Sequence, residues 1–450
     1  MRTKKQFASI LIVLLCSLFV ACTGTVAKDS PGSDTTSQEI LPDYIDEEEA
    51  KEEEAALDRA RESGKKELSL GILVPEDLPH LYYNARHLAT GFNSQSDTCH
   101  LSVRRYKNEA ELHADLTTDN APDLLMMTNL SIPLNGNNFV DLLPMIDACP
   151  EIERGDFTGN LLDTLLMDDA LYMLPDKVEV STMVGGNAFF GEQTGWTIEE
   201  ARQRKEQLGE DYYICPPYRT FDNFFHFICR GATDRFVDYE NRSCHFDDGE
   251  FAQLLLLCND FPREPVLFRN AWDGLEYYMA DIDWINSTGR IHGIKYARGD
   301  HYTYIGYPCD NRRGSYFQAA SFGVQIAIPY RAKDAEASFD VIRFMLGEKH
   351  QTDERYYGIP VMAKYLEQEL QKVSGEIFDH GDGIVTEITE EDIRKFRSLV
   401  DTPTVYLLNN PVIIQIIEEE AKAFFAGEKS AEEVAALIQN RAQMYLDEQR

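Results

Sequence analysis

The order of short apolar runs and amphipathic helices predicts an α/β protein with mostly parallel sheets, covered by helices. Residues 68–127 read as strand, helix, strand, helix, strand. The folded body, about 385 residues once a polar N-terminal stretch is set aside, exceeds what one core usually serves, so two domains are predicted.

Leu68-Ser69-Leu70-Gly71-Ile72-Leu73-Val74 is a buried-strand run stopped by Pro75. His80 to Phe92 carries Leu81, Ala85, Leu88, Ala89 and Phe92 at helical spacing. Leu101 to Tyr106 is a second strand, Glu109 to Thr118 a second helix, and Asp123 to Met127 a third strand. In such sheets ligands sit beyond the carboxyl ends of the strands, which makes Asn129 and Ser131 candidate contacts. Leu142 to Ile146 and Phe157 to Leu166 look helical, Asp168-Asp169-Ala170 is a turn, and Leu171 to Pro175 and Val178 to Val184 are extended. Thr197 and Glu200 are spaced as a capping box, as are Ser430 and Glu433 before the last helix. Phe221 to Cys229, Phe251 to Phe261, Ala332 to Leu346 and Pro411 to Phe425 complete the helices; Tyr302 to Pro308 and Phe322 to Ile328 are strands.

The N-terminus points outside the cell. Arg2, Lys4 and Lys5 precede an uncharged run from Phe7 to Ala21. That run is about 15 residues, short of the roughly 20 a membrane-spanning helix needs, and reads as a secretory signal over 1–21. Small residues leading into Cys22 resemble the lipobox of bacterial lipoproteins, which implies a lipidated Cys22 at the outer face of the cytoplasmic membrane. The alternative is an ordinary signal with Cys22 incidental. Residues 22–66 are small, polar and then acidic, which suits a flexible linker; the run Asp46 to Leu57 is either a solvated helix or an extended spacer.

The formal net charge of −34 argues against nucleic acid, whose phosphates it would repel. The nine cysteines show no CxxC spacing, and their pairing is open. No GxSxG, HExxH, GxxxxGK[ST] or EF-hand pattern occurs. No catalytic residue, cofactor or metal is therefore assigned.

Several local patterns, taken in order, resemble the extracellular solute-binding proteins of ATP-binding-cassette importers, of the maltose-binding type. They are Ala89 to Asn93 with the strand after it, Asn120 to Leu124, Asp168 to Pro175, Tyr304 to Pro308, Ala337 to Phe344, Gly358 to Val361 and Ala423 to Ala435. Asp168-Asp169-Ala170 stands where the family commonly has Asp-Gly-Lys, and Asn311 to Gly314 is unusually basic. The resemblance covers nearly everything after residue 67. It implies a two-lobed periplasmic-binding-protein-like fold, with one lobe from 67–178 plus about 305–347 and the other from 179–304 plus about 348–450. Chain crossings fall near 175–184, 300–308 and 346–360. It further implies a monomeric, non-catalytic receptor that closes on a solute, in first place a carbohydrate, and delivers it to a membrane permease. The alternatives are a lipid-anchored glycoside hydrolase and a receptor for peptides or other polar solutes.

Glu179 is the leading polar contact, because a charge in an apolar crossing strand needs a partner or a wet cleft. A structural salt bridge is the competing role. Aromatic rings grip the apolar face of sugars, which nominates Trp272, Tyr278 and Trp284; the competing reading, which outweighs it for any single ring, is a lobe helix with rings in its core. Tyr316 and Phe317 are further candidates, and Trp196 is a packing residue at a helix entry.

Overall fold

Strand β1 (Lys66–Leu73) buries Leu68, Leu70 and Ile72 and lies between β2 (Cys99–Tyr106) and β3 (Leu124–Met126), parallel to both. The helices His80–Asn93 and Glu109–Leu116 make the crossovers that parallel pairing requires. These features come from a computed structural model, which describes residues 47–74, 80–127, 132–209, 212–216, 219–265, 278–321 and 323–448. The signal, Cys22, most of the linker, Asn129, Ser131 and Trp272 lie outside the described residues. The acidic run is helical, over Glu47–Glu62. No described helix is long and apolar enough to cross a membrane.

The described residues of 53–450 hold two five-stranded sheets and two short hairpins. The first is completed by β4 (Leu174–Pro175) and β11 (Gln325–Ala327), in the order β2-β1-β3-β11-β4, with β11 antiparallel to β3 and β4. The second is built on β5 (Lys177–Gly186). Two short pieces, β6 (Val237–Asp238) and β7 (Ser243–Cys244), form a separate hairpin. Strands β8 (Ala280–Ile285), β9 (Tyr302–Tyr304), β10 (Tyr316–Ala319) and β12 (Ile359–Pro360) all pair antiparallel with β5. The second sheet is thus antiparallel, not mostly parallel as expected. Its long central strand leaves the first sheet, and each partner runs back against it. The final hairpin joins β13 (Ile377–Asp379) to β14 (Val385–Glu387).

Strand β5 alternates between two apolar cores: Val178, Val180 and Val184 face the larger one, Met183 the other. The second core gathers the phenylalanines of the helices Phe221–Ala232 and Glu250–Asn259 with the C-terminal pair Pro411–Phe425 and Ala431–Glu448. Trp196 is fully buried there, as its packing role predicts; its indole donates to the Gly306 carbonyl at 2.8 Å, and its ring meets Phe190 edge-on.

Two segments differ from the expected lobe plan. Residues Tyr316–Ala319 stay in the second sheet, and the return to the first sheet comes between Ala319 and Gln325, later than the crossing expected near 300–308. Residues from Ile359 to Tyr406 pack mainly into the larger core, because Thr158 ties to Pro360 and Val361 through its hydroxyl (2.7 Å) and amide (2.9 Å).

Cys99, Cys149, Cys215, Cys244, Cys258 and Cys309 carry free thiols and are buried, as is Cys229. Gly314 answers a close approach: a Cβ there would lie 1.9 Å from the Tyr307 carbonyl oxygen, which no rotamer relieves. Gly314→Ala is expected to destabilise by about 1–3 kcal/mol, the range for overpacking, read as a lowered urea midpoint; an unchanged midpoint would show that the 306–314 turn yields freely.

Candidate functional site

The chain changes sheet at three places, and one side chain ties them together. Asp176 lies between β4 and β5, fully buried. Its carboxylate accepts from the Val324 amide (2.7 Å), on the return segment, and faces His350 Nε2 (2.8 Å), on the third crossing. Gln351 adds to the knot, donating to the Asp176 and Met345 carbonyls (2.7 and 2.9 Å) and accepting from the Val361 amide (3.0 Å). Lys177, also buried, donates to the Gln351 carbonyl.

Beside this knot is a cavity of about 260 Å³. One wall comes from the first sheet and its loops, with Met127, Ile132 to Asn135, Met167, Asp168 and Met173. The other comes from the second core's periphery, with Tyr239, Glu240, Arg242, Leu407 to Asn410, Tyr445 and Leu446. Glu179, Gln318, Ala319, Ser321 and Gln325, from the crossing strands and their junction, close the floor.

Glu179 is 2 % exposed, yet forms part of this floor. Gln318 Nε2 donates to it, as do the Ser321 amide (3.5 Å) and hydroxyl (3.3 Å). Burial pushes its carboxyl up to about 7, and the hydrogen bonds only partly offset that. None of these partners is basic, so the salt-bridge role is not what the structure shows. Gln325 is fixed by donating to the Met127 carbonyl (3.1 Å) and accepting from Tyr406 OH (2.7 Å).

Buried Asp234 shapes the opposite wall. It accepts from Tyr239 OH (2.6 Å), the Leu408 amide and the Asn409 amide (2.8 Å), and burial raises its pKa. Asn410 caps the helix Pro411–Phe425 and donates to Tyr445 OH (3.1 Å). Among the described residues, five non-glycine residues have positive φ, and four of them, Asp168, Asp169, Arg242 and Asn409, line or adjoin the cavity. Such conformations cost energy and concentrate where a site over-determines the backbone. Asp168 and Asp169 form a tight hairpin turn, closed by reciprocal Met167–Ala170 hydrogen bonds of 2.9 Å.

The other sequence-derived candidates sit elsewhere. Tyr316 and Phe317 are interior: Tyr316 stacks on Tyr307 and hydrogen-bonds Arg235, while Phe317 is wholly enclosed in the larger core. The residues of their strand that line the cavity are the next two along, Gln318 and Ala319. Trp284 is half-buried in β8 against Phe227, and Tyr278 is buried under Arg298. Residues Ala280–Ile285 are a strand, where a helix was the competing expectation; Asp281, Asp283 and the aromatics leave no helical stripe once β5 claims the segment. Sequence reasoning missed Tyr239, Glu240, Arg242, Asn409 and Asn410. Only the Asn410-Pro411 step carried a local signal, as a helix start.

A wider depression of about 840 Å³, lined among others by Asp97, Glu151, Arg343, Lys349 and Lys364, belongs to the outside of the first core alone. Nothing from the second sheet reaches it, so it offers no two-sided grip.

No known family pattern matches the chain, and no curated protein does. Among solved structures, the chain is similar to the sugar-binding protein MalE of Xanthomonas citri: TM-score 0.55, 16% identity, 85% of this chain and 98% of that one covered. It is equally similar to a periplasmic oligogalacturonide binding protein of Yersinia enterocolitica, with TM-score 0.55, 14% identity and coverage of 85% and 99%. An evolved variant of a de novo designed esterase shares the fold too, at TM-score 0.52 and 15% identity, covering 86% and 99%. The protein thus has the two-lobed fold of periplasmic binding proteins.

Proposed function

We propose that the protein is a lipid-anchored receptor outside the cell, which captures a polar solute between two lobes and delivers it to the permease of an ATP-binding-cassette importer. The cavity carries this reading. Its walls come from both cores and its floor from the strands that join them, so a solute held there gains its full set of contacts only when the walls approach. Contacts unique to the closed form shift the population toward it. The lobes of this mechanism are the parts built around the two sheets. Carbohydrate is the leading class, favoured by the amides of Gln318, Gln325, Asn135, Asn409 and Asn410 around the cavity. The Xanthomonas and Yersinia proteins, which bind sugar and oligogalacturonide, favour it as well. Cys22 and the polar stretch after it would supply the anchor and tether.

Thermal-shift panels of mono- and oligosaccharides and of peptides test the proposal. A ligand at a hundred times its Kd stabilises by about 2.7 kcal/mol, a rise of a few degrees in Tm. Silence across all panels would sink the receptor reading. Release of reducing ends from any oligosaccharide would replace it with a hydrolase.

A further inference from the structure

The acids of this cavity outnumber its bases. Among the described lining residues are Glu179, Asp168 and Glu240, against Arg242 as the single basic side chain. Their positions give the imbalance its meaning. Glu179 is enclosed on the floor, and its hydrogen-bond donors, Gln318 and Ser321, are neutral. Asp168 and Glu240 are exposed at the rim, one on each wall; Glu240's carboxyl is held above its usual range, by desolvation first and then by the neighbouring Asp168 carboxyl. Bringing the walls together therefore works against like charges at the rim and an uncompensated carboxylate on the floor.

A neutral sugar would relieve neither. Its hydroxyls offer Glu179 further neutral donors of the kind it already has, and leave the rim repulsion in place. An anionic sugar would add to both. A protonated amine supplies charge-assisted hydrogen bonds, roughly twice as strong as neutral ones, and converts the repulsion into attraction. A metal ion is the other positive partner, but no group of three or more His, Cys, Asp or Glu among the described residues is arranged to hold one. The apolar wall points the same way. It is largely Met and Leu, and of its two rings Tyr239 donates its hydroxyl to Asp234 while the Tyr445 hydroxyl accepts from Asn410. Recognition thus falls on the polar groups. The chain's net charge of −34 also raises the local concentration of cationic solutes.

Resting on the receptor reading, we infer that the solute carries a protonated amine beside its hydroxyls, an amino sugar in first place, and that Glu179 is the residue that selects it. The same ammonium chemistry occurs on peptides, and the test separates the two sources.

Calorimetry on the full folded chain, at pH 7.5 and low salt, would compare the glucosamine disaccharide with its N-acetylated form, the glucose disaccharide, the glucuronate disaccharide and a lysine-containing dipeptide. The amino sugar is expected to bind about tenfold more tightly than its acetylated twin, the ratio shrinking as salt rises. Binding should release a proton, seen as a heat that depends on buffer ionisation. Glu179→Gln should bring the amine-to-acetyl ratio close to one. Asp168→Asn, an exposed change that spares the fold, should lower it about threefold. A neutral or uronate disaccharide binding as well as the amino sugar would overturn the charge assignment and leave the receptor reading standing. Preference for the dipeptide would overturn the amino sugar in favour of a peptide amine. An unchanged ratio in both variants would remove Glu179 as the selector. Failure of all five probes, together with silence in the thermal-shift panels, would overturn both readings.

Discussion

Asp176→Ala is expected to cost about 3–5 kcal/mol of stability, the scale on which removing one partner of a buried polar pair unfolds marginal proteins. The carboxylate serves the Val324 amide and His350, both out of reach of water, and no neighbouring group can replace it. His350 is locked by Tyr356 at 4.0 Å and by Phe344, so its ring cannot swing toward another acceptor. Gly323 lets the carboxylate sit where it does: a Cβ there would lie 2.7 Å from Asp176 Oδ1. Asp176→Asn keeps an acceptor for Val324 and should lose about half as much. Urea unfolding would measure both. Because Asp176 joins all three crossings, the alanine variant should also show a broader scattering profile without ligand. A loss below about 1 kcal/mol would mean that Gln351 and Lys177 alone hold the junction.

The second large effect is one of pH. Glu179's carboxyl stands near 7 in the folded protein and at its ordinary value of 4.5 when unfolded. Between these values the folded state holds a proton that the unfolded state has lost, so stability falls as pH rises, by up to about 1.4 kcal/mol per pH unit. Below 4.5 the group contributes no slope, and above 7 its full penalty is present. The wild type should thus lose ground to Glu179→Gln between pH 5 and pH 8. The difference in Tm isolates this one carboxyl from the many others that titrate. Parallel curves for the two proteins would show that Glu179 stays ionised throughout, with its charge met by some other group.

How far the sequence reached depended on segment length. The strands of residues 66–126 and their helices were legible because each carries enough turns or alternations to declare a period. Strands of two to four residues, such as Ile359–Pro360 and Tyr316–Ala319, have no measurable period; their pairing with β5 is a tertiary fact. Hence the antiparallel second sheet went unread, and Tyr316 and Phe317 stood as candidates while Gln318 did not. Glu179 declared itself because a charge in an apolar strand demands explanation. Asp234 could not: its three partners, Tyr239, Leu408 and Asn409, are brought to it by folding, the last two from more than 170 positions away.

The buried thiols have a practical consequence. The sulfhydryls of Cys99, Cys149, Cys215, Cys244, Cys258 and Cys309 are sealed in the interior, so a reagent reaches them only when the packing around them opens. They also act as clocks. Cys99 and Cys149 report on the larger core, and Cys215, Cys244 and Cys258 on the smaller. An alkylating reagent followed by mass spectrometry would therefore time the breathing of each half separately in the unmodified protein, with and without solute.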